Sequence, residues 1–343
     1  MSQAAGTRMY REAAAAPNAV REQLLANAVR IERLAQRLRA TPPRALVTCA
    51  RGSSDHAATF ARYLIETRLG LLTSSASPSV SSVYDARPDL AGTVMLAISQ
   101  SGASPDLLAT VSTARAAGAR IVALVNAESS PLAQLADDVI PLCAGPERSI
   151  AATKSYITSL SAIVHLVASW SRDASLSAAL QQAPELLTQA WELDWSAAVD
   201  HLVAANNLYV VGRGLGLAIA QEAALKFKET CALHAEAVSA AELRHGPMAL
   251  VGVGFPLLIF TQNDASRAGV AQLAEELAAR GADVLLAGTR AAGATVLPTQ
   301  QAHPVIEPLL FAQSFYRLAN ALSLARGGDP DRPPHLRKVT ETV

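Results

Sequence analysis

Short apolar runs alternate with longer segments of helical periodicity along the 343-residue chain. The run ALVTCA at 45–50 precedes the helical segment SSDHAATFARYLIE, and TVMLAI at 93–98 precedes DLLATVSTARAAG. A strand buried inside a parallel sheet reads as a continuous apolar run, and parallel neighbours need a crossover connection, usually a helix. The pattern therefore predicts an α/β fold, with a parallel sheet covered on both faces by helices.

The alternation of strands and helices occurs twice along the chain. VTCARGSSDHAA in the first half resembles YVVGRGLGLAIA in the second, so that Arg51 aligns with Arg213. LAISQSGAS resembles LIFTQNDAS, and Gln100 aligns with Gln262 at the same spacing of 162 residues. We infer two copies of one α/β unit, joined near residues 175–195.

Four parts are predicted along the chain. Residues 1–40 form leading helices, residues 41–180 a first α/β domain, residues 195–325 a second one, and residues 326–343 an extended, Pro-rich tail. Ligands of open α/β sheets bind beyond the carboxyl ends of the strands. The polar loops that follow the apolar runs are therefore the candidate sites.

The first polar loop, SQSGAS, follows the apolar run that ends at Ile98. Its glycine, Gly102, permits close approach of the backbone, and the surrounding hydroxyl and N–H groups can enclose an anion. A helix begins directly after the loop, and a helix N-terminus favours negative charge. A small phosphate ester is the expected guest; the alternative is that Ser104 only caps the helix.

Two further polar stretches open helices. Arg51–His56 follows the first apolar run, and Gly52 there allows a tight turn beside two serines that can donate to sugar or phosphate oxygens. The alternative is that the serine and aspartate side chains cap the helix and that His56 packs locally. Pro146–Lys154 opens another helix near the edge of the sheet.

Charge and composition exclude several function classes. Lys plus Arg is 29 and Asp plus Glu is 29, so the chain lacks the electrostatic footprint of proteins that bind nucleic acid or anionic membranes. The longest apolar candidate, 157–170, is shorter than the ~20 residues that span a bilayer. The N-terminus lacks the apolar core of a signal peptide, and three cysteines without paired spacing predict a reducing, cytoplasmic setting. No His/Cys cluster has metal-ligand spacing, so we expect no metal site.

The second half carries charged residues at helical spacing. Glu222, Lys226 and Glu229 lie at i, i+4 and i+7 and share one helix face. An exposed ion-pair ladder is the alternative, although the helix is otherwise strongly apolar. The segment that follows brings His245 to a rigid Gly-Pro turn. A carboxylate, a histidine and a cation are what aldose–ketose chemistry needs for proton transfer, ring opening and polarisation of a carbonyl.

Five motifs together resemble one known family. They are SQSGAS at 99–104, AGPERSIAATKSY at 144–156, ALKFKE at 224–229, HAEAVSAAELRHGP at 234–247 and DRPPHLRKVT at 331–340. In this order they are similar to the isomerase half of glucosamine-6-phosphate synthase and to free-standing sugar-isomerase (SIS) proteins of the glucosamine-6-phosphate deaminase type. The resemblance implies two tandem SIS domains, each a three-layer α/β/α sandwich, a homodimer, a sugar phosphate as substrate, and no metal or redox cofactor.

The resemblance also implies roles for individual residues. Glu229 matches the proton-transferring glutamate of the family, His245 its ring-opening histidine, Lys226 a lysine beside the sugar, and Lys338 the tail lysine that reaches the ketose carbonyl. The substrate contacts match Ser53, Ser54, Ser99, Gln100, Ser101 and Ser104, together with the backbone of Ile150 and Ala151.

Lys338 also admits a simpler interpretation, as a solvated lysine of the C-terminal tail. Pro333 and Pro334, however, stiffen the segment before it. We therefore expect the tail at 326–343 to close the site. There a buried lysine can form a Schiff base, because burial favours the neutral amine.

Four positions depart from the synthase pattern. Arg51 stands where the synthase has a cysteine, Asp55 where it has an aromatic residue, Ala103 where it has an acid, and Ser104 where it has a threonine. These residues are compatible with a phosphate site, and they change the groups that can contact the sugar ring.

The expected activity is that of an aldose–ketose isomerising deaminase, which converts glucosamine 6-phosphate and water to fructose 6-phosphate and ammonia. The chain begins Met1-Ser2 and enters the SIS-type helices at once, so we expect no glutaminase to supply ammonia. The alternatives are a galactosamine-6-phosphate deaminase, a fructosamine-6-phosphate deglycase, a plain isomerase, and a non-catalytic phosphosugar sensor. The sequence leaves the gluco or galacto epimer, allosteric regulation and a Schiff base at Lys338 open.

Overall fold

The computed structural model describes residues 4–338, and these residues divide into two compact units. The first unit comprises residues 18–147, 154–181 and 337–338. The second unit comprises residues 4–17, 148–153 and 182–336. Each unit contains one sheet.

The regular elements alternate as the apolar pattern predicts. The strands are β1 (Leu46–Cys49), β2 (Thr73–Ser75), β3 (Val94–Ser99), β4 (Arg120–Val125), β5 (Asp138–Pro141), β6 (Asn207–Gly212), β7 (His234–Ser239), β8 (Pro256–Phe260), β9 (Asp283–Ala287) and β10 (Thr295–Leu297). The α-helices are α1 (Arg8–Ala14), α2 (Ala16–Ala40), α3 (Ser53–Leu69), α4 (Ser79–Ser82), α5 (Pro105–Ala116), α6 (Pro131–Leu135), α7 (Lys154–Ser171), α8 (Ala174–Glu192), α9 (Ser196–Leu202), α10 (Leu215–Cys231), α11 (Arg267–Ala279) and α12 (Glu307–Ala325). Short 3₁₀ turns lie at Ala4–Gly6, Glu242–Arg244 and Pro247–Leu250.

The sheet of the first unit is entirely parallel, with the strand order β2-β1-β3-β4-β5. β3 is central, and all six of its residues are buried. Ala97 of β3 pairs with Cys49 on one side and with Ala123 on the other. The carboxyl ends of β1 and β3 are neighbours in the sheet, so the loops at 51–56 and 99–104 leave it side by side.

The sheet of the second unit repeats this topology. Its order is β10-β9-β8-β6-β7, again all parallel, so that β6 and β8 take the places of β1 and β3. The turn glycines repeat as well: φ is 55° at Gly52 and 56° at Gly214, and 86° at Gly118 and 85° at Gly281. Equal topology and equal backbone geometry confirm the predicted α/β fold and its duplication.

Aromatic side chains fill the core of the second unit between α10, α12 and the sheet. Phe227 on α10 meets Phe315 on α12 edge-to-face, with ring centroids 5.1 Å apart. Phe260 at the end of β8 packs against Phe311 and Phe315. Rings packed in this way contribute beyond their buried area, and they fix α10, the helix that carries the charged residues of the candidate site.

The apolar segment 157–170 lies within α7, a helix of the first unit that is buried along most of its length. This confirms the prediction of a core helix. Among residues 4–338, no helix is long and apolar enough to cross a membrane.

Candidate active site

The loop at 99–104 connects β3 to α5 in the first unit. The Gly102 N–H donates to Ser99 Oγ at 3.0 Å, and the Ala103 N–H approaches Ser101 Oγ at 3.4 Å. A serine hydroxyl that accepts a hydrogen bond keeps its own hydrogen available. The hydroxyls of Ser99 and Ser101 can therefore still donate, as the recognition of an anion requires.

Gly102 has no room for a side chain. Its φ is +63°, and an added Cβ would lie 2.2 Å from Ser130 Oγ and 2.9 Å from Val125 Cγ2. Its carbonyl accepts from the Leu132 N–H at 3.1 Å. The sharp turn of the loop is thus fixed by close packing against α6 and β4.

Ser104 and Gln100 complete the predicted anion loop. Ser104 occupies the N-cap position of α5, but its side chain makes no capping hydrogen bond. Gln100 is half-buried. The side chain of Ser104 is therefore not committed to the capping role that the simpler interpretation assigned to it.

Arg51 reaches the same loop region from the end of β1. Its Nε and Nη2 donate to one carboxylate oxygen of Asp106 at 2.8 and 2.6 Å. Asp106 is buried in the first turn of α5, whereas about half of the Arg51 side chain is exposed. Arg51 is therefore held beside the start of α5, with guanidinium surface still open to an anion.

The loop at 51–56 turns through Gly52, which is the N-cap residue of α3. Ser53 and Ser54 are the first two residues of that helix and are half-buried. Burial raises the pKa of Asp55, partly offset by His56 and Arg51. The two serines thus lie at the helix start, where donors to an anion are needed.

In the second unit, the charged face of α10 is buried. Lys226 Nζ lies 3.6 Å from Glu222 Oε1 and makes a short ion pair with Glu229. The side chains of Glu222 and Lys226 are 1% exposed, whereas that of Glu229 is 20% exposed. The alternative of an exposed ion-pair ladder is therefore wrong.

Tyr316 of α12 secures the inner end of this arrangement. Its hydroxyl donates to Glu222 Oε1 at 3.0 Å. A buried lysine flanked by two carboxylates is stable only when the charges are well paired and hydrogen-bonded. Lys226 is held between the fully buried carboxylate of Glu222 and the partly exposed carboxylate of Glu229.

Ile150 and Ala151 follow a turn that Glu12 of α1 holds. One Glu12 carboxylate oxygen accepts from the Arg148 N–H at 2.6 Å, and the other accepts from the Ser149 N–H at 3.0 Å. Ala151 is buried and Ile150 half-buried. The backbone predicted to contact the sugar is thus fixed by a carboxylate from the N-terminal helix.

His245 follows the 3₁₀ turn at 242–244, and its side chain is exposed. Its N–H donates to the Glu242 carbonyl at 2.8 Å. The next residue, Gly246, has φ +132°. The Gly-Pro turn therefore presents the imidazole at the surface of the second unit, while its role in ring opening stays a prediction.

Lys338 belongs to the first unit, and its amine is paired rather than merely solvated. Lys338 Nζ lies 3.2 Å from Glu147 Oε2. The lysine side chain is 26% exposed, and that of Glu147 is fully buried. The partner of the tail lysine is thus a residue outside the predicted site set.

The corresponding loop of the second unit, which follows β8, differs because its hydrogen-bond donors contact an aspartate of the same loop. Asp264 accepts from the Ser266 N–H at 2.8 Å and from Gln262 Nε2 at 2.7 Å. Gln262 is fully buried and also donates to the Arg213 carbonyl at 3.0 Å. The donors of the second copy therefore surround a carboxylate of the chain itself.

A model of the SIS domain family matches residues 41–169 and 201–294 of the chain. The chain belongs to the SIS domain family. The first matched segment contains the whole first sheet, and the second contains β6 to β9 of the second sheet. The predicted pair of tandem SIS domains is thereby confirmed.

Three proteins with more specific descriptions are similar to this SIS protein. It is 34% identical over 325 residues to the isomerizing glutamine–fructose-6-phosphate aminotransferase of Symbiobacterium thermophilum, covering 89% of this chain and 52% of that protein. A candidate phosphosugar isomerase from Silicibacter pomeroyi DSS-3 shares 45% identity and a TM-score of 0.91, over 95% of this chain and 100% of that one. The C-terminal domain of the glucosamine–fructose-6-phosphate aminotransferase of Francisella tularensis shares 26% identity and a TM-score of 0.88, over 96% and 98%. The chain spans about half the length of the full aminotransferase.

Two residues of this SIS protein that contact site residues were missing from the predicted set. Glu147 lies inside a quoted motif, but its place opposite Lys338, 191 residues away, has no signal in local spacing. Arg51 stands in the sequence analysis as a landmark of the repeat, as the start of the polar loop at 51–56 and as a departure from the family, without a predicted role in binding. Among residues 4–338, no group of three or more His, Cys, Asp or Glu side chains is arranged to hold a metal ion. The dimer and the cytoplasmic location stay predictions.

Proposed function

We propose that this SIS protein is a phosphosugar isomerising deaminase that converts glucosamine 6-phosphate and water to fructose 6-phosphate and ammonia. The observation that carries the proposal is the buried Lys226 beside Glu229, a carboxylate that remains partly exposed. The aminotransferase relatives, whose names give fructose 6-phosphate as a substrate, support the substrate class.

Glu229 is the proposed proton carrier. In the open-chain sugar it takes the proton from C2 and returns it at C1. The oxygen at C1 gains one proton and the amino nitrogen gives one up, which leaves a hydroxyl at C1 and an imine at C2. The charge on this carboxylate must be stabilised between the two transfers. The ammonium of Lys226, which is in contact with it, supplies that stabilisation.

Lys226 also serves as the fixed cation of the site. Because Glu222 and the Tyr316 hydroxyl hold its other side, the amine does not need to reorganise when charge develops on the substrate. Preorganised charge in a buried setting is more effective than the same charge in water.

The phosphate group is assigned to the loop at 99–104. The hydroxyls of Ser99 and Ser101 keep their hydrogens available, and α5 begins immediately beyond the loop. Ser53, Ser54 and Ser104 are the other proposed donors, and Arg51 adds positive charge near the start of the same helix. Such a site takes a compact dianion without a lysine.

His245 and Lys338 have the two remaining roles. His245 is the proposed acid–base group for ring opening. Water then adds at the C2 imine and ammonia leaves; alternatively, the Lys338 amine adds first and is itself displaced by water. Either route gives the ketose and one ammonia.

The test is ammonia release by the purified protein with glucosamine 6-phosphate, with galactosamine 6-phosphate in parallel. Glu229→Gln is expected to lower turnover by about 10²–10⁴-fold, because it removes the proton carrier. Glu185→Gln, the same substitution on an exposed part of the second unit, is the matched control and should have no effect. Near-full turnover by Glu229→Gln would refute the assigned role. Absence of ammonia from both sugars, together with stabilisation by either one, would favour a deglycase, a plain isomerase or a sensor.

A further inference from the structure

We propose that Glu147 is a positioning residue that fixes the amine of Lys338 for its step in the reaction. The proposal rests on the proposed function for the chemical step, but not for the contact itself. Glu147 is not among the residues to which the family resemblance assigns a role.

Glu147 is held in place by Ser155, independently of Lys338. Its Oε1 accepts from the Ser155 N–H at 3.1 Å, and its Oε2 accepts from the Ser155 hydroxyl at 2.6 Å. Ser155 is the second residue of α7, an 18-residue helix, so the carboxylate also lies at the positive end of a long helix. The place of this anion is therefore set by the fold of the first unit.

Lys338 approaches the carboxylate oxygen that Ser155 Oγ already contacts, at 3.2 Å. Because Glu147 is fully buried, its charge needs a compensating partner. Lys338 is the last residue that the structure describes, at the end of a tail without helix or strand. The position of its amine is thus determined by the carboxylate rather than by regular structure in the tail.

The chain has so few lysines that the reactivity of Lys338 can be compared with that of each of the others. Four lysines occur, at positions 154, 226, 228 and 338. Lys154 and Lys226 are buried and Lys228 is exposed, so Lys338 has an intermediate position: its amine is both anchored and reachable. An amine that is to add to a carbonyl or imine carbon needs both properties. The Lys338 ammonium must also lose a proton before it adds, and the Glu147 carboxylate 3.2 Å away is the acceptor at hand.

Selective acetylation of the protein with a water-soluble N-hydroxysuccinimide ester, followed by peptide mass spectrometry, tests the contact without any assay of activity. The rate at Lys338 is compared with the rate at Lys228 in the same sample. In Glu147→Gln, the amide oxygen can still accept from Ser155, but the charged partner of the lysine is gone. We expect acetylation of Lys338 to rise about tenfold relative to Lys228, because a charge-assisted hydrogen bond no longer holds the amine.

Glu128→Gln is the matched control for this experiment. It removes an exposed carboxylate of the first unit that pairs with Arg30, and it should leave acetylation of Lys338 unchanged. Glu147→Asp keeps the charge but shortens the side chain, and we expect an intermediate rate. An unchanged ratio in both Glu147 variants would overturn the proposal; if Glu147→Gln does not fold, Glu147→Asp decides alone.

A double-mutant cycle with Lys338→Met separates positioning from general stability. If Glu147 acts through Lys338, Glu147→Gln lowers kcat in the wild-type background but has no further effect in Lys338→Met. Equal losses in both backgrounds would show a purely structural role. Faster acetylation in a protein that releases no ammonia would refute the proposed function and leave the anchor intact.

Discussion

Replacing Gly102 with alanine separates backbone strain from steric clash in the anion loop. The residue has φ +63°, and its Cβ would lie 2.2 and 2.7 Å from Ser130 Oγ and Cβ and 2.9 Å from Val125 Cγ2. The left-handed conformation costs about 1–2 kcal/mol, and overpacking of this kind adds about 1–3 kcal/mol. We therefore expect Gly102→Ala to destabilise the first unit by about 2–5 kcal/mol.

Gly70→Ala is the matched control, because Gly70 has the same φ of +63° and no atom within 4 Å of an added Cβ. This change carries the strain of about 1–2 kcal/mol alone. The difference between the two variants, measured by thermal unfolding, should be about 2–12 °C in Tm. Gly102→Ala should also weaken binding of glucosamine 6-phosphate, whereas Gly70→Ala should not.

Adding Ser130→Gly to Gly102→Ala removes two of the three close contacts, and glycine at this helix N-cap costs only a few tenths of a kcal/mol. The double variant should therefore recover most of the difference from Gly70→Ala, with the contact to Val125 remaining. Equal melting temperatures for Gly102→Ala and Gly70→Ala, or no recovery in the double variant, would refute the packing argument.

Three further results are expected. Lys226→Met leaves two neighbouring carboxylates without their cation and should lower the free energy of unfolding by about 3–5 kcal/mol. Lys228→Met, which changes an exposed lysine of the same helix, should have little effect. Similar values for the two variants would contradict the buried pairing. Burial lowers the pKa of His165 from its usual 6.5. Below pH 6.5 the unfolded chain therefore binds a proton that the folded chain does not, and the unfolding free energy measured in urea should fall with decreasing pH, by at most about 1.4 kcal/mol per pH unit. His165→Asn should flatten this slope. Burial raises the pKa of the Cys49 thiol to about 12 and that of Cys231 to about 11, so neither should react with a maleimide at neutral pH until the protein is unfolded.

The order of strands and helices follows from local patterns that the sequence shows directly. A parallel strand covered on both faces is mostly apolar, as β3 is from Val94 to Ile98, and the next polar residues lie at its carboxyl end. This is why the loops at 51–56 and 99–104 could be predicted as candidate sites, whereas their adjacency follows from the strand order of the structure. The duplication is visible for the same reason, since Gly52 and Gly214 hold the same turn geometry in both copies.

The contacts within the site could be predicted only in part. The spacing of Glu222, Lys226 and Glu229 fixes a shared face, but the same spacing fits an exposed helix; burial follows from packing of α10 against α12, where Tyr316 supplies the hydroxyl. The pairing of Lys338 with Glu147 depends on chain folding over 191 residues. Local propensity and periodicity carry no information on such a contact.

The carboxylate of Asp264 has a consequence for the stoichiometry of ligand binding. In the duplicated loop it accepts hydrogen bonds from Ser266 and Gln262, the kind of donor that we propose the first copy directs at an external anion. The second copy thus carries a resident counter-ion, and an incoming dianion would have to displace it against like charge. We therefore expect a titration with sugar phosphate to saturate at one molecule per chain, although the chain is built from two copies of the same unit.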